Sequence, residues 1–221
     1  MFDAFVQIFL WLFPWPIRRM YYIFFKKYKI HRTAKIGRSI ILAKNLHMDA
    51  NAQIGTGNII KRIDLLSIGE SSHLRNFNQI TGISSKNDRH FRHIANRKCE
   101  MIIGKESSIT SKHYFDCTAG IYIKDYCLLA GNSSVFLTHS IDPKECRQDA
   151  AIISIGNYCF IGHNTTILKG CILPDKVIIG ACSLVNKSLC ESEMVYGGVP
   201  VKALKKAIDY NFFSRSKGII D

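Results

Sequence analysis

Between Ile155 and Val185 an aliphatic residue returns at every sixth position: Ile155, Ile161, Ile167, Leu173, Ile179 and Val185. Glycine follows three of them (Gly156, Gly162, Gly180), and a small or thiol-bearing residue stands four places on (Cys159, Thr165, Cys171, Ser183). A period of six matches neither the 3.6 of a helix nor the 2 of a plain strand. It matches a chain wound as a three-sided coil, in which each side takes six residues and one of them points to the axis before a tight corner. The predicted elements are therefore short strands in stacked coils, with branched aliphatic side chains resting on their counterparts one coil away.

The same phase runs upstream through Ile36, Leu42, Met48, Ile54, Ile60 and Leu66, then after a slip of two through Ile68, Leu74 and Ile80. Two further runs are Ile103, Ile109, Phe115, Ile121 and Ile123, Leu129, Val135, Ile141. Glycine after a ladder residue is expected to supply corner angles that other residues adopt only with strain. The period fails in four places, which divide the chain into an N-terminal segment (1–32), a coil domain (33–188) and a tail (189–221). Within the coil domain, 84–100 is polar and basic and 138–151 interrupts the last runs. Both are expected to be loops thrown out from corners, where binding chemistry tends to sit. In the tail, Gly197, Gly198 and Pro200 predict a turn ahead of a short basic helix over 201–210.

Composition refines this picture. The 221 residues are 47% hydrophobic, enough to bury one continuous core. Eight cysteines without a CxxC pair, three of them (Cys127, Cys159, Cys171) at the small inward position, predict reduced thiols packed as compact hydrophobes in a cytoplasmic protein. The formal net charge of +13 gathers mostly in the N-terminal segment and the 84–100 loop. No nucleic-acid motif accompanies it, and no nucleic-acid partner is expected. Met1 to Ile17 is nearly all apolar, with six aromatic rings, and six lysines and arginines follow by residue 32 among further aromatics. The run is short for a bilayer span and has no signal-peptide layout. Two compatible readings stay open: a helix lying in a membrane interface, or a helix capping the open end of the solenoid.

The run IGNYCFIGHNTTILKGCILPDKVIIGACSLVNKSL, the following VYGGVPVKALKK and the segment LLAGNSSVFLTHSIDP together resemble the hexapeptide-repeat acyltransferases. The likeness is to galactoside, maltose and polysaccharide O-acetyltransferases. Phe160 stands where those proteins have tryptophan, Cys182 at a glycine-like position, and Gly198-Val199-Pro200 at their G-N-P. The resemblance spans about residues 100–206, and the earlier coils share only the period. It implies a mainly β, left-handed parallel β-helix, a homotrimer with active sites at the subunit clefts, and acetyl-coenzyme A as donor.

What the resemblance implies about the site follows from the chemistry. A sugar hydroxyl becomes a competent nucleophile only as a base removes its proton, and an imidazole is matched to that work near neutrality. His139, in THSIDP, aligns with the family's catalytic histidine. Asp142 and Asp116 are both candidates to orient it, as is a backbone carbonyl. His113 and Asp116, in HYFD, lie where the acceptor sugar is held. Gly162, Ala181 and Ser183 are expected along the pantetheine arm, and Lys187, Lys202 and Lys205 near the cofactor's phosphates. No metal is predicted, because the paired histidines of metal-dependent relatives are missing and His90 and His93 lie in the basic loop. The expected function is O-acetylation of a saccharide, lipid-linked or part of a surface polysaccharide, at the cytoplasmic face of the plasma membrane. The alternatives are N-acetylation of an amino sugar nucleotide and a non-catalytic β-helix scaffold.

Overall fold

The computed structural model describes residues 2–86, 89–218 and 220, so residues 87 and 88 of the basic loop lie outside it. Short strands stack into three parallel sheets of seven, nine and seven strands, the faces of a three-sided β-helix. Only the last strand of the nine-stranded face runs antiparallel to its neighbour. The faces follow one another in the chain, so each coil crosses a first, a second and a third face before climbing to the next. The predicted parallel β-helix is what the chain forms.

The axis is filled by the predicted ladder, with shifts that follow from corner length. Ile155, Ile161, Ile167, Leu173, Ile179 and Val185 are all buried. On the first face most strands turn two side chains inward, as with Leu66 and Ile68 or Ile121 and Ile123, which explains the two-residue slips in the repeat. Where a corner is one residue shorter or longer, the inward residue moves by one. Ile41 takes the place expected of Leu42, and Phe136 that of Val135, its ring stacked on Phe115 with centroids 4.7 Å apart. Ile141 leaves the ladder altogether and is exposed. Each fully buried aliphatic chain contributes roughly 1.5–3 kcal/mol.

Most glycines directly after a ladder residue serve proximity rather than backbone freedom. Gly37, Gly156 and Gly162 are not left-handed; the left-handed corner positions are filled mainly by other residues, among them Asn51, Ser71, Tyr126 and Tyr158. A Cβ on Gly162 would meet the Ala181 nitrogen at 2.6 Å, and one on Gly37 the Gly55 oxygen at 2.5 Å. Successive coils could not approach to hydrogen-bonding distance there with any larger residue.

Polar side chains at the inward corner positions bind one coil to the next. Between the second and third faces, the Asn58 amide hydrogen-bonds Ser39 Oγ, Asn78 N–H bonds Asn58 Oδ1, and His113 N–H bonds Asn78 Oδ1. Ser134 N–H then donates to His113 Nδ1, and Thr165 N–H to Ser134 Oγ. At the other corner, Ser72 and Ser107 hydroxyls give way upward to thiols: Cys127 Sγ donates to Gly156 O at 2.9 Å and Cys159 Sγ to Pro174 O at 3.2 Å. A buried donor without an acceptor would cost about 1–3 kcal/mol, so these columns satisfy groups that the coil cannot hydrate.

The N-terminal segment is helical, with α1 (Phe2–Leu10), α2 (Trp15–Met20) and a π-helical turn (Tyr21–Phe25). It closes the first coil. The Gln7 side-chain amide bonds both the N–H and the C=O of Ile41, each at 2.8 Å, as a neighbouring strand would. Arg18 donates to Gly37 O and Tyr28 OH to Ala43 O. At the other end the expected helix over 201–210 is absent. Lys202–Lys206 is a strand antiparallel to Met194–Gly197. The physical reason is that Met194–Gly197 would otherwise leave an unpaired sheet edge, and a returning strand satisfies it. The tail then descends past Phe160 and Tyr158, and Gly218 N–H bonds Glu106 Oε2 at 2.7 Å.

Candidate active site at one edge of the coil

Both insertions emerge where the third face turns into the first. Residues 84–100 follow the strand Gln79–Thr81, and 138–151 follow Val135–Leu137, two coils later. The second insertion is a hairpin, with His139–Asp142 antiparallel to Arg147–Ala150. Between the two insertions runs the strand Tyr114–Asp116, whose last residue pairs in register with Leu137. Asp116 therefore lies directly beneath the start of the hairpin.

His139 Nδ1 and Asp116 Oδ2 are 2.6 Å apart. The same oxygen accepts the N–H groups of His139 (3.0 Å) and Thr138 (3.1 Å). Asp116 Oδ1 accepts the Thr118 hydroxyl at 2.6 Å and its N–H at 3.2 Å. A buried carboxylate surrounded by donors stays ionised. Burial pushes the Asp116 carboxyl up, but the hydrogen bonds from His139 and Thr118 and the nearby imidazole outweigh it and hold it below the usual range. The carboxylate then fixes the tautomer, with the His139 proton on Nδ1 and a lone pair on Nε2. The hydrogen bond that His139 donates to Asp116 raises the imidazole above its ordinary value, partly opposed by burial and by Arg97 and Lys169. Nε2 has no hydrogen-bond partner among the described residues, and the side chain is 33% exposed.

The basic insertion reaches this imidazole from below. Phe91, itself buried, meets the His139 ring edge-on at 6.4 Å and 86°. Arg97 stacks over Phe91 at 4.4 Å and donates to Ile83 O, Thr118 O and Ser84 O. Asp149 of the hairpin pairs with Lys169 and lies 3.6 Å from His93 of the basic insertion. Sequence reasoning missed Phe91, Arg97, Thr118 and Thr138. Thr138 had a signal, being adjacent to His139; Phe91 sits in a loop without period and had none.

Other expected site residues are placed differently. Asp142 does not reach His139: its Oδ1 accepts the N–H groups of Lys144 and Glu145, capping the hairpin turn. His113 is buried, with Nε2 2.9 Å from Thr110 Oγ1 and Nδ1 accepting from Ser134, so neither nitrogen is free for a sugar. Burial, with His163 nearby, pushes it down to about 4. Its position four places after Ile109 was the inward mark. Asp116 is likewise 2% exposed, out of reach of an acceptor and placed to orient His139. Ser183, four places after Ile179, is also inward, donating to Gly180 O at 2.7 Å.

Gly162 and Ala181 lie at the corner between the second and third faces, an edge different from that of His139, with Gly162 buried and Ala181 exposed. Lys187, Lys202 and Lys205 are exposed, the last two on the terminal strand. Among the described residues no three His, Cys, Asp or Glu side chains gather into a metal-binding group.

No family model matches the chain. A protein of Escherichia coli K12 provisionally named a lipopolysaccharide biosynthesis O-acetyl transferase, WbbJ, is 30% identical over 115 residues, 52% of this chain and 54% of its own length. The chain thus spans about half the length of this curated relative. A hexapeptide-repeat acetyltransferase from Vibrio cholerae, solved with acetyl coenzyme A, superposes with a TM-score of 0.51 at 21% identity, over 64% of this chain and 71% of the other. The fold of this chain is that of the hexapeptide-repeat acetyltransferases.

Proposed function

We propose that the chain is an acetyl-coenzyme A-dependent O-acetyltransferase whose acceptor is a hydroxyl of a saccharide, lipid-linked or part of a surface polysaccharide. The observation that carries this reading is the His139–Asp116 pair, with Nδ1 engaged at 2.6 Å and Nε2 unpartnered among the described residues on a partly exposed side chain. The similarity to the E. coli O-acetyl transferase and the superposition on a structure solved with acetyl coenzyme A support it. Residues 33–188 are the acyltransferase domain, to which the tail adds Lys202 and Lys205.

In this mechanism the donor supplies an acetyl carbon activated as a thioester. His139 Nε2 takes the acceptor's hydroxyl proton as the oxygen–carbon bond forms and the carbon–sulfur bond breaks. Asp116 holds the resulting imidazolium against Nδ1, and the same proton then passes from Nε2 to the departing thiolate. Charge and protons balance, leaving ester and thiol. Exposed Lys202 and Lys205 suit the donor's phosphates, whereas Ser183 is committed to the corner and takes no part. The enzyme is a homotrimer, in which the second-to-third edge of one chain faces the third-to-first edge of the next and joins the donor corner to the imidazole. It works on the cytoplasmic side, where the donor is made.

The test is thiol release from acetyl-coenzyme A with a panel of hydroxyl and amino sugars. Wild-type protein is expected to acetylate a hydroxyl, and His139→Ala to lose about 10²-fold or more. Turnover that persists in His139→Ala removes the base, and product confined to amino sugars turns the reading to N-acetylation.

A further inference from the structure

The N-terminal helices do more than close the coil. Their inner side completes the cap through Gln7, Arg18 and Tyr28, bonded to the first coil's backbone. Their outer side carries Phe2, Phe5, Phe9, Leu12, Phe24 and Phe25, each 62–83% exposed. Phe2, Phe5 and Phe9 recur at the spacing of one helix face, opposite the buried Gln7. A cap needs no such face, and a cluster of exposed rings marks an interaction surface.

Charge selects the partner. Residues 1–38 hold eight lysines and arginines against the single carboxylate of Asp3. Asp3 is bound to Lys26 at 2.6 Å and accepts from the Tyr21 hydroxyl, so residues 1–38 present no unpaired carboxylate to an anionic surface. Lys27, Lys29, Arg32, Lys35 and Arg38 are exposed, and Arg38 Nε donates to Trp11 O at 3.2 Å. A nine-residue α1 is only about 14 Å long, too short to span a bilayer, and no helix among the described residues is long and apolar enough to do so.

We propose that this face is a membrane-docking surface: the aromatic rings enter the headgroup layer of an anionic bilayer while the surrounding cations meet lipid phosphates, setting the solenoid end-on upon the membrane. This inference stands on the N-terminal residues alone and does not depend on the acetyltransferase reading.

The experiment is co-sedimentation of the full chain with phosphatidylcholine vesicles, with and without phosphatidylglycerol. Binding to the anionic vesicles is expected to exceed that to neutral ones by about tenfold or more and to weaken as salt rises. The combined variant Phe5→Ser, Phe9→Ser, Phe24→Ser, Phe25→Ser should lose it, with the same melting temperature and the same transfer to a soluble acceptor as wild type. Three outcomes overturn the proposal: no co-sedimentation, equal binding to both vesicles, or a wild-type assembly that the variant breaks apart while vesicles bind neither. Vesicle binding without transferase activity would sink the enzymatic reading alone.

Discussion

His139 is paired with a residue 23 positions earlier in the chain, which on the proposed reading orients it as the base. Sequence proximity favoured Asp142, three places away, yet in the hairpin that carboxylate turns to its own loop. In a solenoid the neighbours that matter are one coil apart, and only the register Asp116↔Leu137 shows which residue that is. His113 was expected at the acceptor sugar, although its place four residues after Ile109 is that of a corner rung, and it is buried there. The raised imidazole has a kinetic sign. A general base works unprotonated, so activity should rise with pH through a value above the ordinary 6.5. Asp116→Asn keeps the size but removes the charge. In that variant we expect the acid limb of the kcat profile to move to lower pH and the plateau to fall about tenfold or more. A limb that stays in place would separate Asp116 from the base.

Among the elements, the strands of the last coils could be read residue by residue, whereas both insertions and the tail could not. Period-six spacing reports only what points to the axis. The hairpin at 138–151 pairs with itself outside the coil, and the returning strand Lys202–Lys206 satisfies a sheet edge, which no local pattern of KALKK announces. The basic insertion is the element with most left to reveal. It sends Phe91 against the His139 ring and locks it with Arg97, so the imidazole is held on one side by a carboxylate and on another by a ring. On the proposed reading Phe91 is a positioning residue. Phe91→Ala is expected to lower kcat about tenfold or more, since small displacements of a base are costly, while KM for the donor stays unchanged. Phe91→Leu should restore most of the rate. A loss confined to melting temperature, with kcat intact, would reduce the contact to packing.

For the whole molecule, the separation of edges is the informative feature. Within one chain, His139 sits where the third face meets the first, and Gly162 and Ala181 sit where the second meets the third. A shared site between copies predicts complementation. His139→Ala chains and Lys202→Glu, Lys205→Glu chains, each inactive alone, should regain activity when assembled together, up to about a quarter of wild type, because random neighbours supply both intact halves that often. Mixed assemblies that remain dead would place each complete site within one chain.

The coil also has a height. On the third face four strand spacings separate Ile40–Leu42, beside the capping helices, from Val135–Leu137, which leads into His139. At about 4.8 Å each, that is about 19 Å, and the helices beneath add roughly 10 Å more. A protein standing on its N-terminal end would work like a surveyor's staff: sugars next to the lipid pass under the imidazole, and those farther along the same chain arrive level with it. The hydroxyl that is acetylated would then be selected by its distance from the membrane as well as by its stereochemistry.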